Sequence, residues 1–167
     1  NNSEDTLVNG DSNIISNVIQ TTVLGRGNDV NTNTKHTLVS GWLNNESNGK
    51  NNAIFGKRNN TTNNEQILTS GIDNVISNNK NAIISGNTNN VQESNNSNIQ
   101  GITNTILRAN YSNITGSTNN VTDITNSIVT GQSQLINTGI NLTALGNQNE
   151  ITNENSSLIS GNLNEVK

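Results

Sequence analysis

Glycine recurs in this chain on a fixed beat. Gly10, Gly25, Gly41, Gly56, Gly71, Gly86, Gly101, Gly116, Gly131, Gly146 and Gly161 are separated by nine intervals of fifteen residues and one of sixteen. The extra residue lies between Val30 and Thr37, because positions on either side of it keep phase. Self-similarity at a short period marks an architecture in which each unit buries its apolar face against its neighbours. The eleven glycines run through nearly all of the 167 residues, so one domain over 1–167 is expected.

The columns of the repeat say what each unit is. Two residues before each glycine stand Val8, Val23, Val39, Ile54, Thr69, Ile84, Ile99, Ile114, Val129, Ala144 and Ile159. Five residues after it stand Ile15, Val30, Glu46, Thr61, Ile76, Val91, Ile106, Val121, Ile136, Ile151 and Val166. Val or Ile fills 18 of these 22 slots, and most slots beside them are polar. That alternation is a strand with one face buried, and it leaves no sustained 3.6-residue stripe for a helix. Two strands on opposite sides of a fifteen-residue coil follow, with glycine at a bend that needs positive φ. Small residues four before the glycine, such as Thr21, Ala82, Ser97 and Ser127, can point inward beside the aliphatic one. The expected fold is all-β: a parallel β-roll, or β-solenoid, of about eleven coils.

Three residues after the glycine, Asn occupies ten of eleven positions, from Asn13 to Asn164, with Gln134 the exception. Asn is abundant here, at 41 residues, but chance would place only about three in that column. Stacked Asn side chains form amide ladders in cross-β arrays, and Asn tolerates left-handed turns. The ladder reading therefore has content beyond composition.

Composition sets the remaining bounds. Only 28% of residues are hydrophobic, against roughly 45–50% apolar in ordinary domains, so a broad globular core is excluded. Charged residues are 12% and the net charge is −4, which excludes charge-driven disorder and gives no basic footprint for nucleic acid. There is no Cys, hence no disulfide or thiolate metal site. No apolar run is long enough for a membrane helix, so membrane insertion by this segment is not expected. No leader-like segment is visible at Asn1, as expected of a mature chain or an excised piece.

A second apolar set sits on strand positions that face outward. Leu7, Leu38, Leu68, Ile83, Ile128 and Leu158 lie three before the glycine, and Leu24, Phe55 and Leu145 one before it. An outward apolar stripe implies a covering surface, and self-association along the long axis with cyclic symmetry is the default expectation. Leu38, Phe55, Leu68, Ile83, Ile128 and Leu158 are the expected contact residues.

Segments such as Asn52-Ala53-Ile54-Phe55-Gly56, Thr143-Ala144-Leu145-Gly146-Asn147-Gln148-Asn149 and Ser157-Leu158-Ile159-Ser160-Gly161-Asn162 resemble the repeats of YadA-like heads in trimeric autotransporter adhesins. The resemblance covers about ten coils. It implies a homotrimer of left-handed parallel β-rolls, extracellular on a bacterial outer membrane. It implies a function too: attachment to host matrix or cell-surface proteins, among them collagen, fibronectin, laminin and immunoglobulin-type carcinoembryonic-antigen receptors. The alternative is a monomeric structural or carbohydrate-binding solenoid of a secreted adhesin or phage fibre.

Catalytic chemistry has little footing. The one His, His36, lies beside the one-residue irregularity, where a solvated loop residue is expected. Carboxylates such as Glu46, Glu65, Glu93, Asp123, Glu150, Glu154 and Glu165 are scattered singly, whereas paired-carboxylate hydrolysis needs two at a fixed separation. Gly25-Arg26-Gly27-Asn28-Asp29 is similar to part of a calcium-binding nonapeptide but occurs once, and such sites need consecutive repeats. No phosphate-binding glycine loop is present. No enzyme activity, metal or cofactor is expected. Recognition is better represented, because aromatic residues anchor interfaces and this chain has three. Trp42 follows a glycine, on a turn, Tyr111 stands in a column otherwise filled by Asp, Asn, Gln, His or Ser, and Arg108 is its close neighbour. These three are the expected ligand-binding residues.

Overall fold

The computed structural model describes residues 3–162, 165 and 166, without the side chains of 153, 154 and 166. Asn164, and the side chains of Glu154 and Val166 in the repeat columns, lie outside the described residues. All regular structure among the described residues is strand; there is no helix.

Two eleven-stranded parallel sheets run the length of the molecule. The first begins with Leu7–Asp11 and ends with Leu158–Asn162, and each strand carries the repeat glycine. Its register is one coil per strand, so Gly71 pairs with Gly86 and Gly86 with Gly101. The second begins with Ile14–Ile15 and ends with Glu165–Val166. Adjacent strands are therefore always consecutive coils, the signature of a β-solenoid.

The coil has three faces rather than the two expected from the aliphatic columns. The third is narrow: Val18–Ile19 pairs with Thr34–Lys35, and single parallel bridges link Lys35, Lys50, Glu65, Lys80 and Asn95 in series. Three left-handed residues per coil turn the corners, as at Asp73, Asn78 and Asn81 (φ 58, 58 and 54°). The extra residue of the long interval is absorbed at such a corner, where Thr32 and Asn33 are both left-handed. The repeat glycines are obligatory. A Cβ at Gly86 (φ 118°) would overlap the carbonyl oxygen of Gly101, and the backbone there cannot move without breaking the sheet.

Five side chains per coil point inward; in one coil they are Asn89, Val91, Ser94, Ser97 and Ile99, all buried. The two aliphatic columns and the small-residue column are where the repeat placed them. The Asn column is also interior. Each Asn oxygen from Asn13 to Asn119 accepts the backbone N–H of the next residue in the column and, from Asn13 as far as Asn89, its side-chain amide too. From Asn13 to Gln134 each amide also donates forward to the next coil's glycine carbonyl. Asn74 Oδ1, for example, takes Asn89 N and Nδ2 at 3.0 Å each, and Asn74 Nδ2 reaches Gly86 O at 2.8 Å. The fifth column, Val18, Thr34, Gly49, Asn64, Asn79, Ser94, Ala109, Ile124 and Gly139, carried no sequence signal. Its members vary because neighbours compensate: Gly139 sits against Leu142, and Gly49 leaves room for the carboxyl of Glu46.

Candidate binding surfaces

The outward apolar residues do fall in one line. On the outer surface of the first sheet the register runs Leu7, Thr22, Leu38, Ala53, Leu68, Ile83, Asn98, Asn113, Ile128, Thr143, Leu158. Phe55 and Leu145 stand beside it on the same surface. Leu68, Ile83, Ile128 and Leu158 are exposed, and Leu38 is half-buried. Two stretches emerge, one below Asn98 and one above Asn113, separated by two short polar rungs.

Trp42 is the last residue of the strand Leu38–Trp42 rather than a turn residue, with 45% of its surface exposed. It is flanked in register by Arg26 and Lys57. The Lys57 ammonium lies 4.2 Å from the ring centroid and holds one face of the indole. Arg26 faces Asp11 at 3.4 Å. Leu43, on the next corner, folds over Gly27, where a Cβ would collide with it. That accounts for the second glycine of Gly25-Arg26-Gly27, and the described residues contain no group of three metal-capable side chains.

Arg108 and Tyr111 are not joined. They occupy successive corners (φ 56 and 53°), and Arg108 forms a two-pronged ion pair with Asp123 one coil on. The hydrogen bond from Arg108 holds the Asp123 carboxyl below its usual range. Glu93, two coils from Asp123 in the same column, adds attraction to Arg108, and the three form a surface ladder without a cleft. Arg58–Asp73 at 2.5 Å and Lys50–Glu65–Lys80 at 3.3 Å each repeat that arrangement elsewhere.

Tyr111 instead stands, 64% exposed, in an open depression of about 590 Å³ on the corner beside the outer surface of the first sheet. Ile83 and Ile128 bound it, Asn98 and Asn113 lie between them, and Asn96 and Asn126 line the corner. No charged residue lines it. The sequence showed Tyr111 as an odd member of its column. The depression was not visible, because it depends on Asn98 and Asn113 falling on the same coils as the tyrosine.

Among the described residues Glu46 is the one ionisable group sealed inside. It is 0% exposed, receives Asn52 Nδ2 at 2.7 Å and the Thr61 hydroxyl, and burial pushes its pKa up to about 7 against both hydrogen bonds. An acid closed off from solvent reaches no substrate, so its effect is on stability.

No family model matches the chain and no curated protein matches it. Among solved structures it is similar to the polySia-specific acetyltransferase NeuO, at 12% identity over 96% of this chain and 84% of that one, with a TM-score of 0.27. A likeness of that size carries no argument about fold or activity; the fold rests on the strand register itself.

Proposed function

We propose that the chain is the head segment of a bacterial surface adhesin, assembled as a homotrimer of parallel rolls and binding a host surface or matrix protein. The observation that carries this is the outward apolar line from Leu7 to Leu158 on a rigid solenoid. Such a stripe on a side otherwise polar calls for a partner surface running the same length, and the repeats of Asn52–Gly56, Thr143–Asn149 and Ser157–Asn162 resemble those of trimeric adhesin heads. A rod of stacked coils presents side chains at fixed spacing, and three copies per head add multivalency. Trp42, pinned by Lys57 and half open, is the expected anchor for a protein ligand. Binding fits better than catalysis, since Glu65, Asp73 and Asp123 sit in surface ion pairs and Glu46, the carboxyl that burial raises, is sealed inside.

Light scattering of the purified chain tests the assembly: a mass of three chains is expected, and Leu68→Asp with Ile83→Asp and Ile128→Asp should reduce it to one. A monomeric parent, or a triple variant that assembles unchanged, overturns it. Capture on an array of matrix and receptor proteins, lost in Trp42→Ala, tests the ligand.

A further inference from the structure

We propose that the depression around Tyr111 is a binding site for a neutral, linear oligosaccharide of two or three pyranose units. This goes beyond protein attachment and does not depend on it.

The tyrosine is the first reason. Its position is left-handed in every described coil, and the others fill it with Asp5, Gln20, His36, Asn51, Gln66, Asn81, Asn96, Asn126, Asn141 and Ser156. Asn is suited to that conformation and an aromatic residue is not. The Tyr111 ring recovers little by packing, since it stands mostly open to solvent. A residue that breaks its local rule without a structural return is a residue kept for something else.

Its surroundings say for what. The ring offers an apolar face for the C–H side of a sugar, and Asn96, Asn98 and Asn113 surround it with amides that both donate and accept, as vicinal hydroxyls require. The absence of charge from the lining selects against sulfated or sialylated chains. Arg108 is closed by Asp123, so it adds no free cation next door. Ile83 and Ile128 stand three rungs apart, ~14 Å at the strand spacing, which sets the length of ligand that fits between them. Asn98 and Asn113 are also the two rungs that interrupt the outward apolar line, so subunit contacts above and below leave the depression as a gap between them.

One Tyr and one Trp give one assignable set of ring signals each. The intact chain is titrated with cellotriose, maltotriose, chitotriose and a poly-N-acetyllactosamine tetrasaccharide, with sialyllactose as the charged comparison. At millimolar sugar, at least one neutral ligand should shift the Tyr111 ring resonances and leave those of Trp42 in place. Tyr111→Asn restores the residue type of the column and so preserves the fold; it should weaken binding about tenfold or more. Asn113→Leu, which extends the apolar line into the gap, should do the same. The proposal is overturned if no neutral sugar moves Tyr111, if sialyllactose binds as well, if Tyr111→Asn binds unchanged, or if only a captured protein shifts the ring. The mass of the same samples separates the two proposals: a trimer blind to sugar defeats this one alone, and a monomer that binds sugar defeats the assembly alone.

Discussion

The interior of the roll is built in two ways. From Ile67 to Ile159 it is one continuous apolar cluster, and a shorter one runs from Val18 to Ile54. Between them lies a polar belt, with Glu46, Asn52, Thr61, Asn64 and Thr69 in slots that elsewhere hold aliphatic or small side chains. Nothing else changes at the belt. The sheet registers pass through it without a slip, and so does the amide ladder, with Asn59 Nδ2 on Asn44 Oδ1 at 3.1 Å and Asn74 Nδ2 on Asn59 Oδ1 at 2.9 Å. Where apolar contact lapses, hydrogen bonds along the axis keep the coils stacked. The ladder is thus the common framework, and the aliphatic columns are the part that varies.

That comparison breaks if the ladder is dispensable. Asn59→Ala, in the belt, strips the buried Asn74 N–H of its acceptor and Gly71 O of its amide donor. Asn89→Ala, in the apolar run, does the same to Asn104 N–H and Gly101 O. An orphaned buried group costs ~1–3 kcal/mol, so each variant should lose about 4 kcal/mol by urea denaturation, and by the same amount in both places. A loss under about 1 kcal/mol, or one confined to the belt, would return the work of stacking to the aliphatic columns.

The belt should also carry a pH dependence that the apolar run lacks. Burial raises the folded-state pKa of Glu46 from 4.5 to about 7. The folded state therefore holds the proton more tightly than the unfolded chain. The stability this gives is fully present below about pH 4.5 and is lost as pH rises through about 7, an effect of about 3 kcal/mol at 1.36 kcal/mol per unit. Asp73, Asp123 and Glu65 act in the opposite sense, since their cationic partners lower their pKa values. Their contribution is present above the usual carboxylate range and falls away only below it. Glu46→Gln should flatten the unfolding midpoint between pH 4.5 and 7; a slope that survives the substitution would mean that another group carries it.

The regular part of this molecule was legible and the adjusted part was not. Val23, Ile84 and Ile136 recur because a sheet interior repeats its demand every coil, and the Asn column recurs because an amide bonds best to another amide in register. The third face left no trace, since a corner that accepts Val18, Asn79, Ala109 or Gly139 selects for no residue type. Glu46 read as a stray exception in an aliphatic column until Gly49 and Asn52 were seen to make room and supply a donor. Among the site residues, Trp42 and Tyr111 stood out by rarity alone. The partner of Arg108 was present in the spacing, fifteen residues away at Asp123, whereas sequence proximity pointed to Tyr111.

The smallest effect sharpens the comparison most. Thr61 and Thr69 hold slots of the two aliphatic columns on one coil, and both are fully buried. The Thr61 hydroxyl donates to Glu46, while that of Thr69 has no partner. Valine has nearly the same shape, so Thr69→Val removes an unsatisfied polar group from an otherwise unchanged site. It should raise stability by about 1 kcal/mol. Thr61→Val, chemically the same change, takes a donor from the buried carboxyl and should destabilise, more at pH 8 than at pH 5. Opposite signs from one substitution on the two strands of a single coil would show that the belt is a specific hydrogen-bonded cluster around Glu46. If both substitutions stabilise, the belt is only a lapse in an apolar core, and its polar residues contribute nothing to the stacking.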